Sequence, residues 1–158
     1  MREGGQTVAW AEFGGVVPEL ESFGRARLER RVAYLATIRA DGSPRLHPVS
    51  AFIGTGGLFL YMEPTSPKVA DLRRDPRYTL HCGVEDDSGG GGEFCVSGRA
   101  NEVIEQQRRS EAFVFARQAG YRPAERHVLF ELRLVRAFST IYQGGAQRRH
   151  WSADEGGR

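Results

Sequence analysis

The sequence has little that could staple it, anchor it or mark it with a known catalytic signature. It contains two cysteines, Cys82 and Cys95, far apart and without a Cys-x-x-Cys spacing. Each lies in an apolar, strand-like run, so buried free thiols are expected rather than a disulfide or a metal site. No stretch stays apolar for the roughly 18 residues of a membrane helix, and the N-terminus lacks a basic region followed by an apolar one. A soluble, cytoplasmic protein with no membrane partner is expected. The net charge of +2 is too small to argue for a nucleic-acid partner. No Gly-x-Ser-x-Gly, Walker, His-Glu-x-x-His or EF-hand pattern is present. The four histidines, His47, His81, His127 and His150, show no ligand spacing, so no metal site is expected. No nucleophile has a base near it in sequence, and there is no internal repeat.

What remains is a globular composition, 40% apolar and 27% charged over 158 residues, which favours one domain with a real core. Residues 1–17 are Gly-rich and read as a loose arm in which Trp10 and Phe13 pack somewhere. Residues 18–152 read as one domain, and 153–158 as a polar tail. Pro18 to Arg30 patterns as a helix with Leu20, Phe23 and Leu28 on one side. Val32–Arg39 is β-rich, Ala40-Asp41-Gly42-Ser43 is a strong turn signal, and Pro44–Ile53 returns as a second strand. Pro48 inside it marks an edge, a bulge or the end of pairing. Backbone left unpaired there could hydrogen-bond a flat polar ring or be a plain sheet edge. Leu58–Met62, Arg77–Val84, Phe94–Val103 and His127–Tyr142 supply further strands, with a bulge expected at Gly98. Ile104–Gln118 patterns as a helix with Phe113, Val114 and Phe115 inward. The total is about six strands and two or three helices. Hairpin connections dominate, so the sheet is expected to be antiparallel and its spacing suggests a barrel.

Tyr61–Arg77 is the stretch on which the rest is organised. Ser66 suits an N-cap and Pro67 the first helical position. A helix start presents unpaired N–H groups and a partial positive charge, and Lys68 adds a full one inside the first turn. A helix start needs no lysine there. Ser66 and Lys68 therefore read as a phosphate seat, the alternative being an ordinary capped connector with a solvated lysine. A small antiparallel barrel that binds a phosphorylated ligand needs no catalytic group of its own if a cofactor carries the chemistry.

The order of ATIRADGSPRLHPVS, LFLYMEPTSPK, LRRDPRYTLHC and FCVSGRA, with IYQGGAQRRH near the C-terminus, resembles the pyridoxamine 5′-phosphate oxidase-like flavin split-barrel family over roughly residues 28–151. The resemblance implies a mainly β split barrel that forms a homodimer and holds FMN at the subunit interface. It implies that Ser66 and Lys68 bind the FMN phosphate and that His47 stands where the oxidases have a phosphate-contacting arginine. Pro48, Val49 and Ser50 would run along the flavin ring, and Tyr61 and Met62 would flank it. Tyr142, from the second subunit, and Arg148 would lie near the flavin, with His150 and Trp151 near the substrate. Three oxidase positions differ: a lysine is Phe52, an arginine between Ser and Lys is Pro67, and an arginine after the C-terminal histidine is Ser152. The helical insertion that holds pyridoxal phosphate is not recognisable in residues 104–126, which argues against vitamin B6 oxidation. Arg45 or Arg73 are candidates to compensate for the missing cations. The resemblance thus implies an FMN-dependent oxidoreductase acting on a small organic substrate. A reductase using the 8-hydroxy-deazaflavin coenzyme and a non-catalytic flavin- or heme-binding module are alternatives on the same fold. A barrel without cofactor is the last alternative.

Overall fold

In the computed structural model, which describes residues 5–155, eight strands form one antiparallel sheet flanked by four helices. The helices are α1 (Trp10–Val16), α2 (Pro18–Leu28), α3 (Pro67–Arg74) and α4 (Gln106–Gln118). The strands are β1 (Ala33–Ile38), β2 (Pro44–Val49), β3 (Phe52–Gly54), β4 (Gly57–Met62), β5 (Arg77–Cys82), β6 (Glu93–Glu102), β7 (Val128–Ile141) and β8 (Gln147–Ser152). Their hydrogen-bonded order is β2-β1-β5-β6-β7-β4-β3, with β8 also on β7.

This order explains the curvature. β2 and β3 are the two ends of the path, yet only Ser50 and Ala51 separate them in the chain. A linker that short holds Val49 and Phe52 within about 11 Å of each other. The sheet must therefore curl until its edges nearly meet, leaving a barrel split between β2 and β3. The Pro44–Ile53 strand expected from the sequence is thus two strands, and Pro48 sits on an edge strand one residue before pairing with β1 ends. The DG turn is formed as read, with Gly42 at φ 84°, a conformation only glycine adopts cheaply.

The barrel interior carries the main core: Leu35, Leu58, Leu60, Leu80, Phe94, Phe130, Leu132 and Leu134 are essentially inaccessible. The segment expected as a loose arm is ordered from Trp10 to Val16. Its Trp10 and Phe13 rings pack edge-on at 5.2 Å, and Phe13 meets Trp151 at 5.0 Å. The aromatic side chains supply burial that the glycines conceal in the sequence pattern. Gln147–Ser152, not read as a strand from the sequence, forms β8, because each residue of QRRHWS pairs in turn with β7.

A second, smaller core lies under α4, built from Phe52, Phe59, Val103, Ala112, Ala116 and Leu129. Ala112 and Ala116, four apart, form the inward stripe, with Phe115 beside them. Val114 is 54% exposed and Phe113 only half-buried, so the expected inward face is turned by about a quarter of the helix. The small alanines let the helix sit close to the sheet, and Phe115 lies over Gly54, where a Cβ would stand 2.1 Å from its ring. Both cysteines are free and buried. Among the described residues no helix is long and apolar enough to cross a membrane.

Candidate functional site

The split in the barrel opens into a groove of about 300 Å³ lined by Pro48, Val49, Ser50, Leu60, Tyr61, Met62, Glu63, Ser66, Lys68 and His127. It collects the end of β2, the end of β4, the start of α3 and the residue before β7. Of the residues expected to hold a cofactor, Pro48, Val49, Ser50, Tyr61, Met62, Ser66 and Lys68 all meet here.

Ser66 is the N-cap of α3 and Pro67 its first residue, as the sequence indicates. The Ser66 side chain nevertheless makes no capping bond. Its Oγ is buried and has no hydrogen-bond partner. A buried hydroxyl left unpaired costs free energy, and at a helix start it usually bonds an N–H of the first turn. Here it is spare at the wall of a groove. Lys68 likewise makes no hydrogen bond or ion pair with the described residues. Burial, aided by the like charge of Arg45, holds its ammonium pKa below the ordinary lysine value. Lys68 is also the chain's only lysine among 22 basic residues, a sequence signal stronger than the helix-start argument alone.

Arg45, on β2 and outside the groove's lining, ties that strand to α3. Its Nε donates to Asp71 Oδ2 at 2.7 Å, and the Thr37 hydroxyl donates to the same oxygen at 2.7 Å. Arg74 donates to Oδ1 at 3.1 Å. Thr37 and Arg45 are cross-strand partners on the core side of β1 and β2, and Asp71 lies one turn into α3. Asp71 is 3% exposed, and although burial works against its charge, Arg45, Thr37 and Arg74 together hold its pKa below the usual carboxylate value. Arg73, the other arginine considered, pairs with Glu102 on another surface and does not approach the groove. His47 shares the core side of β2 with Arg45 and Val49 but does not line the groove.

The ring wall is stiff. Tyr61 stacks on Phe52 with ring centres 5.6 Å apart and planes 11° apart. Burial raises the Tyr61 hydroxyl pKa, with Arg109 opposing. Phe52 is 2% exposed within the α4 core, so it supplies no cation and instead fixes Tyr61. Glu63 and His127 carry no local signal in the sequence. The His127 Nδ1 accepts from the Ala124 N–H at 3.0 Å and its Nε2 donates to Glu63 at 3.1 Å. Arg126 and His127 pull the Glu63 carboxyl down to about 2. His127 enters only through the β4–β7 pairing, a contact between strands distant in sequence.

Tyr142, Arg148, His150 and Trp151 lie elsewhere in the same chain. Tyr142 is exposed and donates to Glu93 at 2.6 Å. Arg148 and His150 are exposed on β8, opposite Thr140 and Phe138. Trp151 is buried against Phe13, and its Nε1 has no partner. None of the four lines the groove.

The histidines are dispersed, and His81 has its own chemistry on β5. Its Nδ1 donates to the Cys82 carbonyl at 2.6 Å, and its Nε2 lies 3.5 Å from Glu93. Contact with Cys82 chiefly, and then Glu93, raises the imidazole pKa to about 9. A folded-state pKa above the unfolded one stabilises the fold fully below the unfolded value near 6.5 and loses that contribution as pH rises through about 9. Unfolding stability measured from pH 6 to pH 10 should fall across this window, and His81→Asn should flatten the fall. An unchanged curve in the variant would assign the pH dependence to other groups.

A curled antiparallel sheet split between β2 and β3, with a helix start facing the split, defines the class of split-barrel proteins. The sequence profile described as pyridoxamine 5′-phosphate oxidase matches residues 18–140, and the chain belongs to that family. Among solved structures it is similar to the heme binding protein from Mycobacterium smegmatis, at 17% identity and a TM-score of 0.63 over 84% of this chain and 58% of that one. It is also similar to HutZ, the heme storage protein from Vibrio cholerae, at 17% identity and a TM-score of 0.55 over 75% and 89%. A NimC/NimA family protein from Clostridium acetobutylicum aligns at 18% identity and a TM-score of 0.57 over 89% and 95%. No curated protein matches.

Proposed function

We propose that the protein binds FMN in the split of the barrel and acts as a flavin-dependent oxidoreductase. The observation that carries this reading is the buried, unpartnered Ser66 Oγ beside the uncompensated Lys68 at the start of α3. Helix N–H groups, a hydroxyl donor and an ammonium are the donor set a phosphate takes. The edge backbone of Pro48–Ser50 and the clamped Tyr61 ring suit the rim and face of a flat heterocycle. A bound flavin would supply hydride or electron exchange with a small organic substrate. The chain's own residues would hold the phosphate at Lys68 and Ser66 and keep water from one ring face with Leu60, Tyr61 and Met62.

In this reading the working unit is a homodimer. The outer face of β1 and β2 carries Tyr34 (44% exposed), Leu46 (67%) and Pro48, with Val32 (52%) next to them. A second copy covering that face would remove this apolar surface from water. It would also bring the partner's C-terminal strand toward the groove, which is where Tyr142 and Arg148 would act. Solution mass should be twice that of the chain, and Leu46→Asp should shift it toward the monomer by burying a charge in the contact. A dimer unaffected by Leu46→Asp would place the interface elsewhere.

The comparisons favour a second reading, a heme-binding role, because one similar protein is described as heme binding and another as a heme storage protein. The deazaflavin coenzyme is a third occupant for the same seat. One absorbance spectrum separates these readings: the purified protein is mixed with FMN, freed of excess and scanned, then mixed with hemin in the same way. Retained flavin bands support the FMN reading. A Soret band without flavin retention would replace it with the heme reading, and retention of neither would turn the search to the deazaflavin coenzyme.

A further inference from the structure

We infer that Tyr121 is a positioning residue of the groove, supporting at once the sheet-edge wall and the ring wall against which a flat ring is seated; this rests on the reading of the split as the site of a flat heterocycle. Tyr121 lies three residues past the end of α4 and does not line the groove. It is half-buried, and its hydroxyl is used twice. The hydroxyl donates to the Ala51 carbonyl at 3.3 Å and accepts from the Arg30 N–H at 3.2 Å. Ala51 is 1% exposed and forms half of the two-residue linker across the split. A buried carbonyl needs a partner, so this bond pins the linker just after the groove residues Pro48, Val49 and Ser50.

The second wall is reached through rings. The Tyr121 ring centre lies 5.5 Å from that of Phe52, and Phe52 in turn stacks at 5.6 Å on Tyr61, which lines the groove. Phe52 is also stacked on Phe59 at 5.4 Å and on Phe115 at 6.4 Å. In a core packed this closely one ring does not shift alone, so displacing Tyr121 displaces Tyr61. The edge residues Pro48–Ser50 and the Tyr61 ring thus share one support.

That support is itself fixed to the chain after α2. Arg30 Nη1 donates to the Ala119 carbonyl at 2.9 Å, and the guanidinium lies over the Tyr121 ring, 5.4 Å from its centre. Arg30 holds φ at 56°, a left-handed conformation that costs free energy in a residue with a side chain. Such a conformation persists where the contacts around it over-determine it. Gly120 takes φ 86° beside it, and a Cβ there would stand 2.5 Å from Arg30 Nη1. Arg30, Gly120 and Tyr121 therefore join the end of α2, the end of α4 and the linker across the split.

The test measures affinities for FMN and for riboflavin, which differ only in the phosphate, by quenching of flavin fluorescence, and the visible circular dichroism of the bound flavin at saturation. Tyr121→Phe keeps the ring against Phe52 and Arg30 and removes only the hydroxyl. It should weaken both flavins alike by about 3- to 10-fold, the range of one lost hydrogen bond, and hold the ratio of the two affinities within about twofold. The dichroism of the bound flavin should also change, because the ring then sits between shifted walls. A merely less stable fold would leave the saturated, folded protein with the wild-type spectrum. Arg30→Gly keeps the backbone N–H and the positive φ, and preserves the fold if the Phe variant does not. Losing the guanidinium contacts should give a smaller change in the same sense. Wild-type affinities and spectrum in the folded variants, or a loss confined to FMN, would overturn the proposal while leaving flavin binding intact. Wild-type protein that binds neither flavin would overturn the underlying reading as well.

Discussion

Lys68→Glu should leave the protein folded and unable to retain FMN. The side chain makes no hydrogen bond or ion pair with the described residues, so the fold does not depend on it. Its ammonium is nonetheless half-buried, and burial with the like charge of Arg45 lowers its pKa, an arrangement that favours an anionic ligand. Removing the charge with Lys68→Ala should cost about 1.5–3 kcal/mol of binding, roughly 10- to 150-fold in affinity. The glutamate adds repulsion against the phosphate and should exceed that loss. Equilibrium dialysis against FMN measures both variants, with circular dichroism as the control for folding. Wild-type affinity in Lys68→Glu would remove the phosphate from the start of α3 and with it the main support for a flavin.

Gly98→Ala is the substitution expected to damage the fold most. The register between β6 and β7 shifts between Ser97, opposite Arg136, and Gly98, opposite Leu134, so Val135 is the extra residue and β7 bulges against Gly98. At that kink the backbone of β7 approaches so closely that an added Cβ would lie 1.9 Å from the Arg133 carbonyl oxygen and 3.0 Å from the Val135 nitrogen. Backbone cannot swing aside as a flexible side chain does. Either the bulge opens and breaks ladder hydrogen bonds, or the strands separate along the central pair of the sheet. A loss of about 3 kcal/mol or more is expected, in the tail reserved for overpacking and backbone strain. Gly15→Ala is the matched control, because it lies in α1 with nothing within 4 Å of the new carbon. Alanine there should be neutral or slightly stabilising. Urea midpoints compare the two, and a Gly98→Ala midpoint equal to wild type would mean that the bulge relaxes freely.

Local signals were the legible ones. The Asp41-Gly42 turn, the Ser66-Pro67 helix start and the Gly98 bulge each depend on a few adjacent residues, and each appears where the chemistry of those residues requires it. Seven groove residues were legible because two short motifs, one ending β2 and one spanning β4 and α3, carry them all. The misses have a common cause. Trp10 and Phe13 form a helix because they find Phe94 and Trp151, residues far along the chain, while local glycines argue against helix. β8 exists because β7 is long enough to pair with it. The inward face of α4 is set by alanines that match the sheet's closeness, although Phe113 and Val114 look more apolar in sequence. Arg45 acquires its place only through Asp71, 26 residues away. Charge runs in the sequence could not distinguish it from Arg73, which spends itself on Glu102.

The solitary lysine also has a chemical consequence. An amine with a depressed pKa carries a larger uncharged fraction at neutral pH, and only that form attacks electrophiles. In most proteins an acylating or carbonyl reagent scatters over many lysine side chains, but here one side chain receives it, and that side chain stands at the mouth of the seat. Acylation would erase the positive charge at the seat, so an occupying phosphate and a reactive acyl donor would compete for the same nitrogen.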